Sequence, residues 1–182
     1  MASHWKHNMT TIAGMVVQRF IAGSMPAFAS IYQQLYRLAL AYCLRLYPQL
    51  SKEDGQDMVQ DAFVRLYQAR GLLDPEADLV PYFLRLLRNQ ALRFCRDRQR
   101  QGTYKERLYV HGQALDPLRP LALEQALGCL PEEKREAIVL KYVMGLSLRQ
   151  VARVQDIPVN TVKTRLFYGL KDMRQCMQGE ER

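Results

Sequence analysis

Several kinds of chemistry are missing from this chain. None of the Walker-type GxxxxGK[ST], HExxH or GxSxG patterns occurs, so there is no phosphate-cradling loop, helical zinc-protease site or nucleophile elbow. Histidine is scarce at three residues, and His4 and His7 at a polar terminus make a poor metal site. The four cysteines, Cys43, Cys95, Cys129 and Cys176, lie far apart in the chain. No pair has metal-ligand spacing, and each falls in or beside an apolar helical stretch, so buried free thiols are expected at all four positions. Isolated acids and thiols do not make an active site without a cleft to converge in. The expectation is a protein without enzymatic activity, cofactor or metal. No window approaches the roughly 18 uninterrupted apolar residues of a membrane span. The mildly apolar stretch around Thr11–Ala22 is broken by Gln18 and Arg19 and has no export cleavage site after it. A cytoplasmic location without membrane insertion is therefore expected.

Positive charge is what the chain has in excess. Against 18 Asp plus Glu stand 26 Lys plus Arg, a formal net charge of +8, which favours polyanionic partners. The charge is unevenly placed. Between Leu50 and Val80 the acids Glu53, Asp54, Asp57, Asp61, Asp74, Glu76 and Asp78 outnumber Lys52, Arg65 and Arg70. Beyond Pro81 the sign reverses, with Arg88, Arg93, Arg96, Arg98, Arg100, Lys105 and Arg107 set against Asp97 and Glu106. An acidic segment inside a basic protein points to a protein partner, and a basic one to nucleic acid.

Apolar residues recur at three- and four-residue spacings throughout, which predicts an all-α protein. After a short flexible N-terminus (residues 1–9), a first helix over Thr10–Ala22 is expected to turn Ile12, Met15, Val16 and Phe20 inward. A longer one over Phe28–Leu46 carries Phe28, Ile31, Tyr32, Leu35, Leu38, Tyr42 and Leu46. Ser51 with Asp54 is a capping signal for a helix to Gln68 that buries Met58, Val59, Ala62, Phe63 and Leu66. Residues 69–80 read as a loop. From Pro81 to about Arg98 a helix buries Phe83, Leu87, Ala91 and Phe94. Tyr82 at its head is either a stacking platform for an unpaired base or the cap of a small core. Residues 10–98 thus form one helical domain. Gln99–Pro120 lacks an apolar period and ends in Pro117 and Pro120, so it reads as a flexible linker, with His111 a solvated residue in it.

A second domain spans residues 121–178. Leu123, Ala126, Leu127 and Leu130 finish one helix, Pro131-Glu132-Glu133 opens the next, and Ile138, Val139, Tyr142 and Val143 are expected to line its buried face up to Gly145. Ser147 and Gln150 form a second capping box, Asp156 suits a left-handed turn, and Pro158 suits the opening of the last helix. In that helix Val162, Leu166, Leu170 and Met173 make an apolar stripe. Asn160, Thr161, Lys163 and Thr164 lie largely off it, near the N-terminus. Two helices joined by a three- to four-residue turn, with polar and basic groups at the front of the second, describe a helix-turn-helix. Six bases from Arg149 to Arg174 (Arg149, Arg153, Lys163, Arg165, Lys171, Arg174) face only Asp156 and Asp172, which favours DNA over an ordinary solvated hairpin.

The stretch Gln150–Leu166, QVARVQDIPVNTVKTRL, resembles the promoter-reading helix-turn-helix of extracytoplasmic-function sigma factors in the sigma-70 family, whose pattern runs roughly E-I-A-x-x-L-G-I-P-x-G-T-V-K-S-R. Gln155 stands at the usual leucine, Asp156 and Asn160 at usual glycines. A second block agrees in order and spacing. D-M-V-Q-D-A-F-V-R-L-Y is similar to the sigma helix that docks on the clamp helices of RNA polymerase, which implies a docking role for Asp57, Gln60 and Asp61. Y-F-L-R-L-L-R-N-Q-A-L-R-F-C-R-D-R resembles the segment that melts the start-proximal promoter element. That implies DNA contacts for Tyr82, at the usual tryptophan, for Arg88, Asn89 and Arg96, and for Arg93, at a usual aspartate. In the second domain the implied DNA contacts are Arg149, Asn160, Thr161, Lys163, Thr164 and Arg165. The resemblance implies a sigma subunit whose partners are promoter DNA, the clamp helices and flap of core polymerase, and an anti-sigma factor. The alternative is a stand-alone helix-turn-helix regulator with an N-terminal dimerisation or sensing bundle, which has no use for a strand-melting surface.

Overall fold

The computed structural model describes residues 12–47, 50–100 and 121–179, and every regular element among them is helical. They fall into two compact units, one on either side of residues 101–120. The expected linker, with His111, and the N-terminal segment with His4 and His7 lie outside the described residues, except that Gln99 and Arg100 continue a helix.

The first unit comprises α1 (Gly14–Ile21), α2 (Met25–Leu46), α3 (Lys52–Gln68), a single 3₁₀ turn (Arg70–Leu72) and α4 (Leu79–Arg100). Ser24 caps α2 through a bond from the Ala27 amide, and Pro26 occupies the first turn, where no amide donor is needed. The expected capping box opens α3: Ser51 and Asp54 exchange hydrogen bonds of 3.0 Å between each side chain and the other's amide. Helix α4 begins earlier than Pro81, because the Asp78 carboxylate accepts from the Val80 amide and starts the helix at Leu79. Helices α2, α3 and α4 pack on one another around rings from different segments. Phe63 lies 4.4 Å from Phe83 and 6.2 Å from Phe28, centroid to centroid, and Phe28 stacks on Phe20 at 5.6 Å.

Helix α1 and the residue ahead of it bury Ile12 and Phe20 as expected, but between them Val17 takes the inward place expected of Met15 and Val16. Val17 and Phe20 are buried, Val16 is half-buried and Met15 is 64% exposed, because the helix starts only at Gly14 and Ile12 is buried ahead of it. Phe94 is half-buried and shelters beneath the Arg98 guanidinium, 4.5 Å from the ring centroid.

The second unit comprises α5 (Leu121–Gly128), α6 (Glu132–Ile138) running on into a π-helical turn (Val139–Val143), α7 (Leu148–Gln155) and α8 (Val159–Gly179), with α8 packed against the other three. The extra residue in the π turn rotates the chain, so Tyr142 is 52% exposed and Val143 half-buried, while Leu140 is fully buried. Gly145, at φ 75°, reverses the chain after it. The apolar stripe of α8 also differs from expectation. Val162, Leu166 and Met173 are buried, but Leu170 is 44% exposed and its place is taken by Gly169. A Cβ at Gly169 would stand 2.8 Å from Ile138 Cδ1 and 3.4 Å from Lys134 Cβ, so the missing side chain is what lets α6 lie this close to α8.

Of the four expected buried thiols, Cys43 conforms: burial pushes its thiol up to about 12, far from thiolate chemistry at neutral pH. Cys95 is outside any disulfide but only half-buried. Cys129 and Cys176 are neither free nor fully buried. They form a disulfide with Cα atoms 6.6 Å apart, because α5 and α8 pack together and bring two positions 47 residues apart in sequence side by side.

Candidate polymerase and nucleic-acid interfaces

In the first unit, Asp57, Gln60 and Asp61 are all exposed on one face of α3, at spacings of three and four. Asp57 and Gln60 make no side-chain hydrogen bond or ion pair among the described residues. Asp61 is committed on both sides: it accepts from Arg65 Nε at 2.9 Å and from Gln90 Nε2 on α4. Val64, 53% exposed, sits on the same face about one turn beyond Asp61. Sequence reasoning passed over it because an apolar residue on a predicted helix is first assigned to the core. The 3.6-residue period carried the signal, since 57, 61, 64 and 68 share a face.

Helix α4 presents a basic face from the same unit. Tyr82, Asn89, Arg93 and Arg96 fall within about a quarter-turn of arc at 100° per residue. Tyr82 is half-buried, whereas Asn89, Arg93 and Arg96 are exposed. Arg88 lies on an adjoining row and is half-buried. Two further arginines share the face: Arg100, already part of the basic run in the sequence, and Arg85, which was missed although the same period contains it. Arg93, Arg96 and Arg100 border a shallow depression around Asp97. Asp54, which caps α3, also holds Arg98 of α4 at 3.4 Å, so the acidic and basic helices are clamped together.

In the second unit, the Ser147–Gln150 capping box is formed, with bonds of 2.8 and 3.2 Å. Asp156 ends α7 in the left-handed conformation, φ 58° and ψ 48°. Ile157 and Pro158 complete a short turn into α8, whose first bond runs from the Val162 amide to the Pro158 carbonyl at 3.2 Å. Asn160 is therefore inside the first helical turn and does not cap it. Asn160, Lys163 and Thr164 are exposed together at the front of α8, with Thr161 half-buried beside them. Thr164 Oγ1 donates to the Asn160 carbonyl at 3.1 Å. Arg149 is exposed near the start of α7.

Arg165 is placed differently. Its side chain is only 20% exposed, with Nη2 3.3 Å from Glu133 Oε2 and Nη1 donating to Gln155 Oε1 at 3.2 Å. Gln155, at the position where a leucine is usual, is buried, as is Glu136. Among the described residues no cluster of three or more His, Cys, Asp or Glu could hold a metal, and no helix is long and apolar enough to cross a membrane.

Two family descriptions match the chain in the order of its two units: Sigma-70 region 2 over residues 31–101, and Sigma-70, region 4, over residues 121–173. The chain is 28% identical to the ECF RNA polymerase sigma factor SigW of Bacillus subtilis over 175 residues, covering 86% of this chain and 91% of that protein. Its fold is similar to that of the sigma factor RpoE of Bartonella quintana, solved with the anti-sigma factor NepR, at a TM-score of 0.70 and 20% identity over 83% of this chain and 96% of that one. It is likewise similar to CnrH, solved with the cytosolic domain of CnrY, at a TM-score of 0.69 and 22% identity, over 91% and 97% of the two chains. With an acidic-faced helix clamped to an arginine-rich one, a separate helix-turn-helix, and both regions matched in sequence, the chain belongs to the sigma-70 family, in its extracytoplasmic-function group.

Proposed function

We propose that this chain is the dissociable promoter-specificity subunit of a bacterial RNA polymerase and acts by binding, with three surfaces in distinct roles. The exposed face of α3, with Asp57, Gln60 and Asp61 and then Val64 a turn beyond, docks on the clamp helices of the core enzyme. Exposed carboxylates beside an exposed apolar side chain suit a protein partner better than they suit DNA. The α4 face takes the start-proximal promoter element. Tyr82 stacks on an unpaired base, Asn89 reads, and Arg88, Arg93 and Arg96 hold the backbone of the separated strand. Helices α7 and α8 enter the major groove of the upstream element, with Arg149, Asn160, Thr161, Lys163 and Thr164 toward DNA, while the same unit engages the polymerase flap. The complex of RpoE with the anti-sigma factor NepR supports an anti-sigma factor as a further partner.

The observation that carries this reading is the clamping of the acidic α3 to the basic α4 within one unit, which couples polymerase docking to strand capture. Co-purification of the chain with core enzyme tests it. Wild type should form a stoichiometric complex, Asp57→Lys should weaken it at least tenfold, and Arg93→Gln should leave it intact. Equal retention of wild type and Asp57→Lys on core would remove α3 from the docking surface.

A further inference from the structure

The buried polar side chains of the second unit are not scattered. Glu136 and Gln155 are each 3% exposed, and both belong to one connected set. Gln155 Nε2 donates to Glu136 Oε2 at 2.9 Å and to the Glu133 carbonyl at 3.1 Å, its Oε1 accepts from Arg165 Nη1 at 3.2 Å, and Arg165 Nη2 lies 3.3 Å from Glu133 Oε2. Both amide hydrogens and the amide oxygen are thus used. The set joins three elements: Glu133 and Glu136 come from α6, Gln155 is the last residue of α7, and Arg165 comes from the second turn and beyond of α8.

Buried amides and carboxylates are costly unless each polar atom finds its partner, and such partners accept only a narrow range of distances and directions. Apolar contacts between helices tolerate small slides, whereas this set does not. Gln155 also immediately precedes the left-handed Asp156, so what fixes its side chain fixes the start of the turn.

We propose that Glu136, Gln155 and Arg165, closed by Glu133, form a polar lock that sets the seating of α8 in the helix-turn-helix, and that Arg165 is a positioning residue of promoter reading and not a phosphate contact. A bidentate grip on a phosphate would draw the Arg165 guanidinium, 20% exposed, away from Glu133 and Gln155 and strip the Gln155 oxygen of its donor, which offsets part of what the new contact would supply. The lock is built on Gln155, where the resembled pattern has leucine, and serves to aim Asn160, Thr161 and Thr164. It rests on the proposed promoter-reading role of α8.

The test uses the full chain assembled with core polymerase and upstream promoter fragments carrying single-base variants, at several salt concentrations. Binding is read at a temperature where circular dichroism shows every variant folded. Arg165→Gln should weaken binding roughly tenfold and flatten the ranking of base variants, while leaving the slope of log K against log salt unchanged. Lys163→Ala, the internal reference, should lower that slope by about 0.9. Gln155→Leu should flatten the ranking in the same way, and the double variant should be no worse than either single one. A slope lowered by about one in Arg165→Gln with the ranking intact would make Arg165 a phosphate contact and overturn the lock. So would urea denaturation in which the Arg165 and Gln155 substitutions are simply additive. If wild type itself shows no base preference, it is the promoter-reading role that fails, and the denaturation cycle still decides the lock.

Discussion

Asn160 and Lys163 stand one helical turn apart on the exposed front of α8, yet they can offer DNA different things. A short amide at the second helical position can approach a base edge and pair with it bidentately, while a long flexible ammonium is suited to a phosphate. Lys163→Ala is therefore expected to weaken upstream-element binding nearly uniformly across sequences and to lower the salt slope by about 0.9. Asn160→Ala is expected to reorder the base variants, with losses of about 1–3 kcal/mol at the position it reads. Affinities on a panel of single-base variants at two salt concentrations check both. A reordering by Lys163→Ala would show the two roles exchanged. These two side chains were legible in the sequence because exposed polar residues off an apolar stripe need no partner to be recognised. Arg165 was not, because its cation is spent on Glu133 and Gln155, which are distant in sequence and meet it only through the fold. Cys129 and Cys176 were hidden for the same reason: nothing local marks a disulfide across 47 residues.

Capping boxes translate directly from sequence into helices, since donor and acceptor lie three residues apart. Both the Ser51–Asp54 and Ser147–Gln150 pairs formed as read. The registers of α1, the end of α6 and α8 did not follow from periodicity alone. In α8 the choice between Leu170 and Gly169 for the buried row is decided by α6, which approaches so closely that even a Cβ at position 169 would push against Ile138 Cδ1. Leu170→Ala is accordingly expected to change stability by no more than about 0.5 kcal/mol, in the range of surface substitutions. Leu166→Ala, at a buried position, should cost about 2–5 kcal/mol. Urea denaturation followed by circular dichroism distinguishes them, and a core-sized loss for Leu170→Ala would restore the simpler stripe. The turn between α7 and α8 makes a second demand. Asp156 holds a positive φ that β-branched side chains resist, so Asp156→Val should destabilise by about 1–2 kcal/mol, whereas Asp156→Gly should be tolerated. Similar losses in both would mean that the aspartate side chain, and not the backbone, sustains the turn.

At the scale of the whole chain, two helical units with separate cores carry three faces of different chemistry. The order of those faces was readable because charge reverses sign along the sequence, from the acids before Val80 to the arginines after Pro81, and because the helix-turn-helix is a local motif. That the acidic and basic helices are clamped by Asp54–Arg98 and Asp61–Gln90 was not, since residues 44 and 29 positions apart are joined only when α3 packs on α4. The clamp underlies the central proposal, that the α4 face takes promoter DNA where the α3 face has docked on polymerase. Transcription in vitro with purified core enzyme and a library of bacterial promoter fragments measures this most directly. Defined transcripts are expected only when core and this chain are both present, and should be lost with Asp57→Lys although that variant is fully folded and keeps Arg93. A chain that fails to associate with core, yet alone binds a palindromic site tightly as a dimer, would contradict it.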